Sequence, residues 1–352
     1  MRAVLAASLV LTAAALLSAQ STRPTPHDLS GTCDIASVTP TERAPGTPLV
    51  MTKEEAAAQK ALPRTPDGHP DLQGVWDNST LTPLERPARL ADKEFFSDRD
   101  AADYESLAQY LVRLQARFGD GEAAVTGEAN GIWRSPRRIG PDRRTSAITQ
   151  PANGKLPAMT PFALARAEAL AWARKTHPGD HPEELSINER CLLWGADPPL
   201  FPLADNNNLQ IVQTPSHVMI FHEMIHDARV IPMDGRPHLP AGIQEWKGDP
   251  RGRWDGDTLV VDTTNFTDKT RFQGSGTGLH VVERFTRTDL NTLQYDFSVE
   301  DPASFAQAWA GRLWMTRTDD RIYEYACHEG NYSMIGILRG ARYREADAEK
   351  KR

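Results

Sequence analysis

Leu293, Tyr295, Phe297 and Val299 are apolar, and Gln294, Asp296, Ser298 and Glu300 between and after them are polar, an unbroken alternation of period two. A strand with one face in a core and the other in solvent produces this pattern, because successive side chains on a pleated strand point to opposite faces. Residues 258–266, 281–287, 309–316 and 321–327 read the same way, and between them stand the turn formers Asp255-Gly256-Asp257, residues 289–291 and Asp319-Asp320. Strands at such regular spacing build an antiparallel meander, and closing it on itself removes its exposed edges. The expectation is a mainly β chain whose residues 186–345 form an antiparallel β-barrel.

The first half is organised differently. Arg2, the apolar run 3–17 and the small residues Ser18 and Ala19 make a secretory signal peptide over residues 1–19, its apolar core too short for a comfortable membrane span. Residues 20–66, rich in Pro, Thr, Ser and Ala, are expected to be an extended or disordered leader. Residues 67–185 should hold one short strand at 71–76 and then helices packing on the barrel. Tyr104, Leu107, Leu111, Leu114 and Phe118 recur at helical spacing up to Gly119. Thr160 followed by Pro161 signals a second helix start, and His177-Pro178-Gly179 its end. The basic run 134–144 between them is a solvated loop, or a segment reaching over a pocket to hold an anionic group.

Export permits disulfides, and the chain has three cysteines. Cys33 sits in the leader. Cys191 and Cys327 lie among apolar and aromatic neighbours, so a Cys191–Cys327 bridge is expected, the alternative being two buried thiols. A formal net charge of −7 gives no basic footprint for phosphates, which excludes nucleic acid as a partner.

The string His222-Glu223-Met224-Ile225-His226 is a complete HExxH motif. On a helix its two imidazoles share a face and hold zinc, with Glu223 activating a bound water. On a strand His222, Met224 and His226 point one way and Glu223, Asp227 and Arg229 the other. Thr214-Pro215 is a fair helix start, but β-branched and aromatic residues dominate 210–221, which reads as strand, turn, strand. No metzincin-type third ligand follows. The strand is preferred and no metal is expected, with zinc on His222 and His226 as the alternative.

On a strand of a barrel, Glu223 and Arg229 would face one way, either as a buried ion pair or as working groups in an apolar lumen. A second polar cluster, His328-Glu329-Gly330-Asn331-Tyr332, directly follows Cys327 and would be held by the disulfide. Asn265, Arg284 and His280 are further candidates. Gly274-Ser275-Gly276-Thr277-Gly278 lacks the Lys and helix of a phosphate loop, and no Gly-x-Ser-x-Gly elbow occurs.

Several segments together resemble a family of secreted bacterial proteins. They are Pro70-Asp71-Leu72-Gln73-Gly74-Val75-Trp76, residues 82–87, 210–215 and 226–238, Gly252-Arg253-Trp254-Asp255-Gly256-Asp257-Thr258-Leu259-Val260-Val261, Asn265-Phe266, Val282-Glu283-Arg284-Phe285-Thr286-Arg287 and residues 323–332, with Cys327-His328-Glu329-Gly330-Asn331 the most specific. The resemblance implies a lipocalin-like barrel with helical additions and no particular substrate. It also implies that His at position 222 is incidental.

The function expected is that of a periplasmic or secreted enzyme doing acid/base chemistry of lyase, hydratase or hydrolase type on a small or oligomeric organic substrate at the barrel mouth. Glu223, His226, His328 and Glu329 would be its catalytic groups, and Arg229, Asn331, Arg284 and Asn265 its substrate contacts. No cofactor and no membrane insertion after signal cleavage are expected. A non-catalytic binder of an apolar ligand and a zinc hydrolase are the alternatives.

Overall fold

The computed structural model describes residues 62–118, 137–176, 179–193, 198–203, 205–269 and 272–351, without the side chains of 111–118. The expected signal peptide, Cys33 and nearly all of the expected leader lie outside the described residues. The elements are β1 (Gly74–Asp77), α1 (Asp98–Phe118), β2 (Ile148–Gln150), α2 (Pro161–Thr176), β3 (Asn208–Gln213), β4 (His217–His222), β5 (Asp227–Pro232) and β6 (Asp249–Asp255), followed by β7 (Thr258–Thr264), β8 (His280–Arg287), β9 (Thr292–Glu300), β10 (Trp309–Thr318), α3 (Cys327–Gly330) and α4 (Tyr332–Lys350). The strands form one antiparallel sheet in the order β5-β4-β3-β1-β10-β9-β8-β7-β6, with β2 also on β10.

The alternation that predicts the strands also sets which face is buried. Leu293, Tyr295, Phe297 and Val299 of β9 lie against Val281 and Phe285 of β8 and Trp309, Leu313 and Met315 of β10 in a single core. A one-residue slip of β9 would turn all four of its apolar side chains to solvent, at about 1.5–3 kcal/mol each. The turn between β6 and β7 is as short as Asp255-Gly256-Asp257 suggests. Asp255 pairs with Thr258, and Gly256 takes the positive φ that a two-residue hairpin loop requires. The cap at Thr160 also forms, its Oγ1 accepting from the N–H of Ala163 at 3.1 Å.

Three expectations are corrected. The sheet is not closed into a barrel: its hydrogen-bonded path ends at β5 and β6, with no ladder between them. Pro232 ends β5 and Pro250 lies within β6, and neither has an N–H to give such a ladder. Residues 321–327 form no strand, because β10 already has β9 on one side and β1 and β2 on the other. The expected barrel stretch 186–345 therefore ends in helix, α3 and α4, instead of strand. β1 lies in mid-sheet between β3 and β10, bringing a segment from the helical half into the core through Trp76.

Candidate functional site

The HExxH string is neither a helix nor a continuous strand. β4 stops at His222, residues 223–226 make a tight turn with Ile225 and His226 at positive φ, and β5 starts at Asp227 directly opposite His222. A β-branched residue with positive φ is strained. Here the strain is offset by packing, because Met224 and Ile225 are buried with Cys191 against Leu203, Tyr325 and Cys327. The two imidazoles part company as a result. His222 is buried, and burial, helped by the Lys247 charge, holds its pKa down at about 4 although the Met224 backbone acts the other way. His226 is in the turn, its Nδ1 2.9 Å from the carbonyl of Tyr325. The helix on which the zinc reading depends is not formed. Among the described residues no group of three or more His, Cys, Asp or Glu is placed to hold a metal.

The expected pair of Glu223 with Arg229 does not form either, because the turn breaks the strand parity between them. Glu223 accepts from the N–H of Tyr323 at 3.0 Å, and burial raises its carboxyl pKa. Arg229 lies on β5 opposite Ile220, faces the core, and is paired with the fully buried Glu283 of β8. Tyr295 donates to the same carboxylate at 2.9 Å and accepts from the N–H of Leu200 at 2.7 Å. Burial, with the Glu283 charge beside it, pushes the Tyr295 phenol well above its ordinary value.

Cys191 and Cys327 are bridged, with their Cα atoms 5.7 Å apart. Around the bridge the structure gathers Glu223, His226 and Asn331. Asn331 donates to the carbonyl of Glu189 at 2.8 Å and caps α4 by accepting from the N–H of Met334. His328 and Glu329 on α3 are exposed. Arg284 and Asn265 are elsewhere: Arg284 meets Asp255 at 2.7 Å on the outer face of the sheet, and Asn265 ties down the carbonyls of Leu239, Pro240 and Ile243.

Beside the bridged segment is a cavity of about 650 Å³, within the range of small-molecule sites. Leu170 and Ala173 of α2 form one wall, the stretch 183–190 another, and Phe201 and Phe272 an aromatic patch. Phe201 stacks on Phe272 at 5.7 Å and meets Phe297 of the core edge-on at 5.3 Å, so the patch is anchored to the sheet. The lining comes from four separated segments carrying no motif, and sequence reasoning misses it. The one signal is the capped helix at Thr160, whose Leu170 and Ala173 are three residues apart on one face.

A second constellation lies on the outer face of β6, β7 and β8. His238, in the loop after β5, has Nδ1 3.1 Å from Asp249 and Nε2 3.1 Å from Asp262, and His280 Nε2 is 3.0 Å from the same Asp262 oxygen. Asp249 is buried and also accepts from the N–H of Leu239 and from Arg251. An ionised carboxylate only accepts, so His238 satisfies both contacts only with a proton on each nitrogen or with one carboxyl protonated. Of these residues only His280 stands out in the sequence. Counting back from the two-residue turn would have placed Arg251 opposite Asp262 on the polar parity. Compared with family models, curated proteins and solved structures, the chain matches none.

Proposed function

We propose that this is an exported protein that binds a small, largely apolar organic molecule in the cavity between α2, residues 183–190 and the Phe201–Phe272 patch. The observation that carries the reading is the cavity itself: about 650 Å³ in size, with an aromatic patch and aliphatic side chains set among as many polar and charged ones. Its wall from 186 to 190 adjoins the Cys191–Cys327 bridge, which favours a preformed site. Export is supported by the signal-like N-terminus and is compatible with the bridge. The resembling segments and the approach of the sheet edges support the finer reading, a lipocalin-like family member with a nearly closed barrel. Gly252 of β6 packs so closely on Ile231 and Met233 that a Cβ there would clash.

Fluorescence titration with N-phenyl-1-naphthylamine, a neutral apolar probe, tests the proposal. A molecule of that size should bind with a Kd of about 1–100 μM. Ala173→Trp, which fills the cavity from the half-buried face of α2, should weaken binding at least about tenfold while the thermal midpoint stays put. Unchanged binding in that variant would remove the cavity as the site.

A specific observation favours a second reading, the acid/base enzyme. The chain Asp249–His238–Asp262–His280 has the form of a base oriented by a buried carboxylate. Glu223 gives its carboxylate to the Tyr323 amide, and His328 and Glu329 are exposed on a short helix, so this reading is carried better by the outer face. It requires hydrolysis of 4-nitrophenyl acetate at least about tenfold faster than by equimolar free imidazole, and loss of that excess in Asp262→Asn and His238→Ala. A rate equal to that of imidazole, or variants as fast as the parent protein, would dismiss it.

A further inference from the structure

The charged groups around the cavity differ in how far the protein itself satisfies them. Arg174 is engaged by Glu189 at 2.7 Å, and that carboxylate also takes the N–H of Ser186. Glu184 accepts from the N–H of Asp180 at 3.1 Å, and Glu183 is exposed to solvent. Lys269 stands over the ring of Trp246 at 5.8 Å. Arg190 is different. Its Nε is buried, yet has no hydrogen-bond partner among the described residues. A guanidinium carries a permanent charge and five N–H donors; the Nε is closed off even from the cavity, but the half-buried side chain lines the cavity and has no hydrogen bond or ion pair among the described residues. A charged acceptor makes the strongest bond with the donors that remain open, and no protein group among the described residues competes for them. The next residue in the chain is Cys191, whose bridge to Cys327 restrains the backbone that carries Arg190. Phe201 and Phe272, stacked on each other, line the same cavity.

We infer that the cavity takes an amphipathic organic anion, its carboxylate or sulfonate end at Arg190 and its flat apolar body against Phe201 and Phe272. The inference rests on the cavity being the binding site and adds the chemical class of the ligand. One cavity then serves two chemistries: apolar area supplies most of the affinity and the half-buried arginine chooses among ligands by charge.

Two probes with the same ring skeleton test it on the full-length oxidised protein: 8-anilinonaphthalene-1-sulfonate and N-phenyl-1-naphthylamine, which lacks the sulfonate. The anionic probe should bind about 10- to 100-fold tighter than the neutral one, the range of one charge-assisted hydrogen bond. Arg190→Met should remove that preference while leaving the neutral probe within about twofold, and Arg190→Lys should keep part of it. Equal affinities for the two probes, or a loss in Arg190→Met that is the same for both, would overturn the inference and leave the cavity reading standing. Failure of both probes to bind would take down the cavity reading and this inference with it. If Arg190→Met does not fold, the comparison of the two probes on the parent protein still decides the matter.

Discussion

His222 is the residue whose burial has the plainest consequence in solution. Its imidazole is held at about 4 when folded and has an ordinary value of 6.5 when unfolded, so the unfolded chain takes up the proton first as pH falls. The sign is therefore one of stability present above about pH 6.5 and lost on the way down to 4, amounting to about 3 kcal/mol at the lower end. Glu223, next in sequence, works against this: its carboxyl is raised by burial and so favours the folded state at low pH. Denaturant titrations at pH 7, 5.5 and 4.5 should show His222→Leu unfolding with a shallower pH slope than the parent. An unchanged slope would contradict the assignment. Nothing in the sequence gives this behaviour away. HExxH advertises a ligand, and the residue proves to be the last inward position of β4. Glu223 and Arg229 fail as a pair for a related reason. Strand parity carries information only along an unbroken strand, and four residues of turn reset it.

At the level of elements, the strands were legible wherever both faces had a use. β8, β9 and β10 alternate because one face meets the core and the other meets water. Residues 321–327 alternate too, but a strand needs an open edge to pair with, and topology had already used both sides of β10. Residues 321–326 run instead as coil up to the start of α3, tied by the Glu223 carboxylate to Tyr323 and by His226 to Tyr325. α4 was invisible for the opposite reason: Ala341 is its only buried residue, so it has no apolar stripe to read. Its start depends on Asn331, which is both the cap of the helix and the link to Glu189. Asn331→Ala should cost about 1–2 kcal/mol, measured by urea unfolding, and should fray the first turn of α4 in amide exchange. A neutral substitution would return Asn331 to the list of residues available for ligand contact.

For the molecule as a whole, local pattern gave the class and led to a closure that the sheet does not make. Alternation and turn chemistry predict an antiparallel sheet, but which distant strands become neighbours depends on contacts that no local window contains. β1 sits between β3 and β10, more than 130 positions away from the first and more than 230 from the second. The gap between β5 and β6 could have been suspected from Pro232 and Pro250, had the two been recognised as the strands that would have to meet. The Cys191–Cys327 bridge spans 136 positions and encloses every strand from β3 to β10. Held by its two ends and stretched, the oxidised chain can pass force around this covalent ring without opening it. Such a measurement should lengthen by the residues outside the ring alone, and only after reduction release a further increment of about 480 Å. Tension would peel β1 and the helices from the body long before it reached the strands inside.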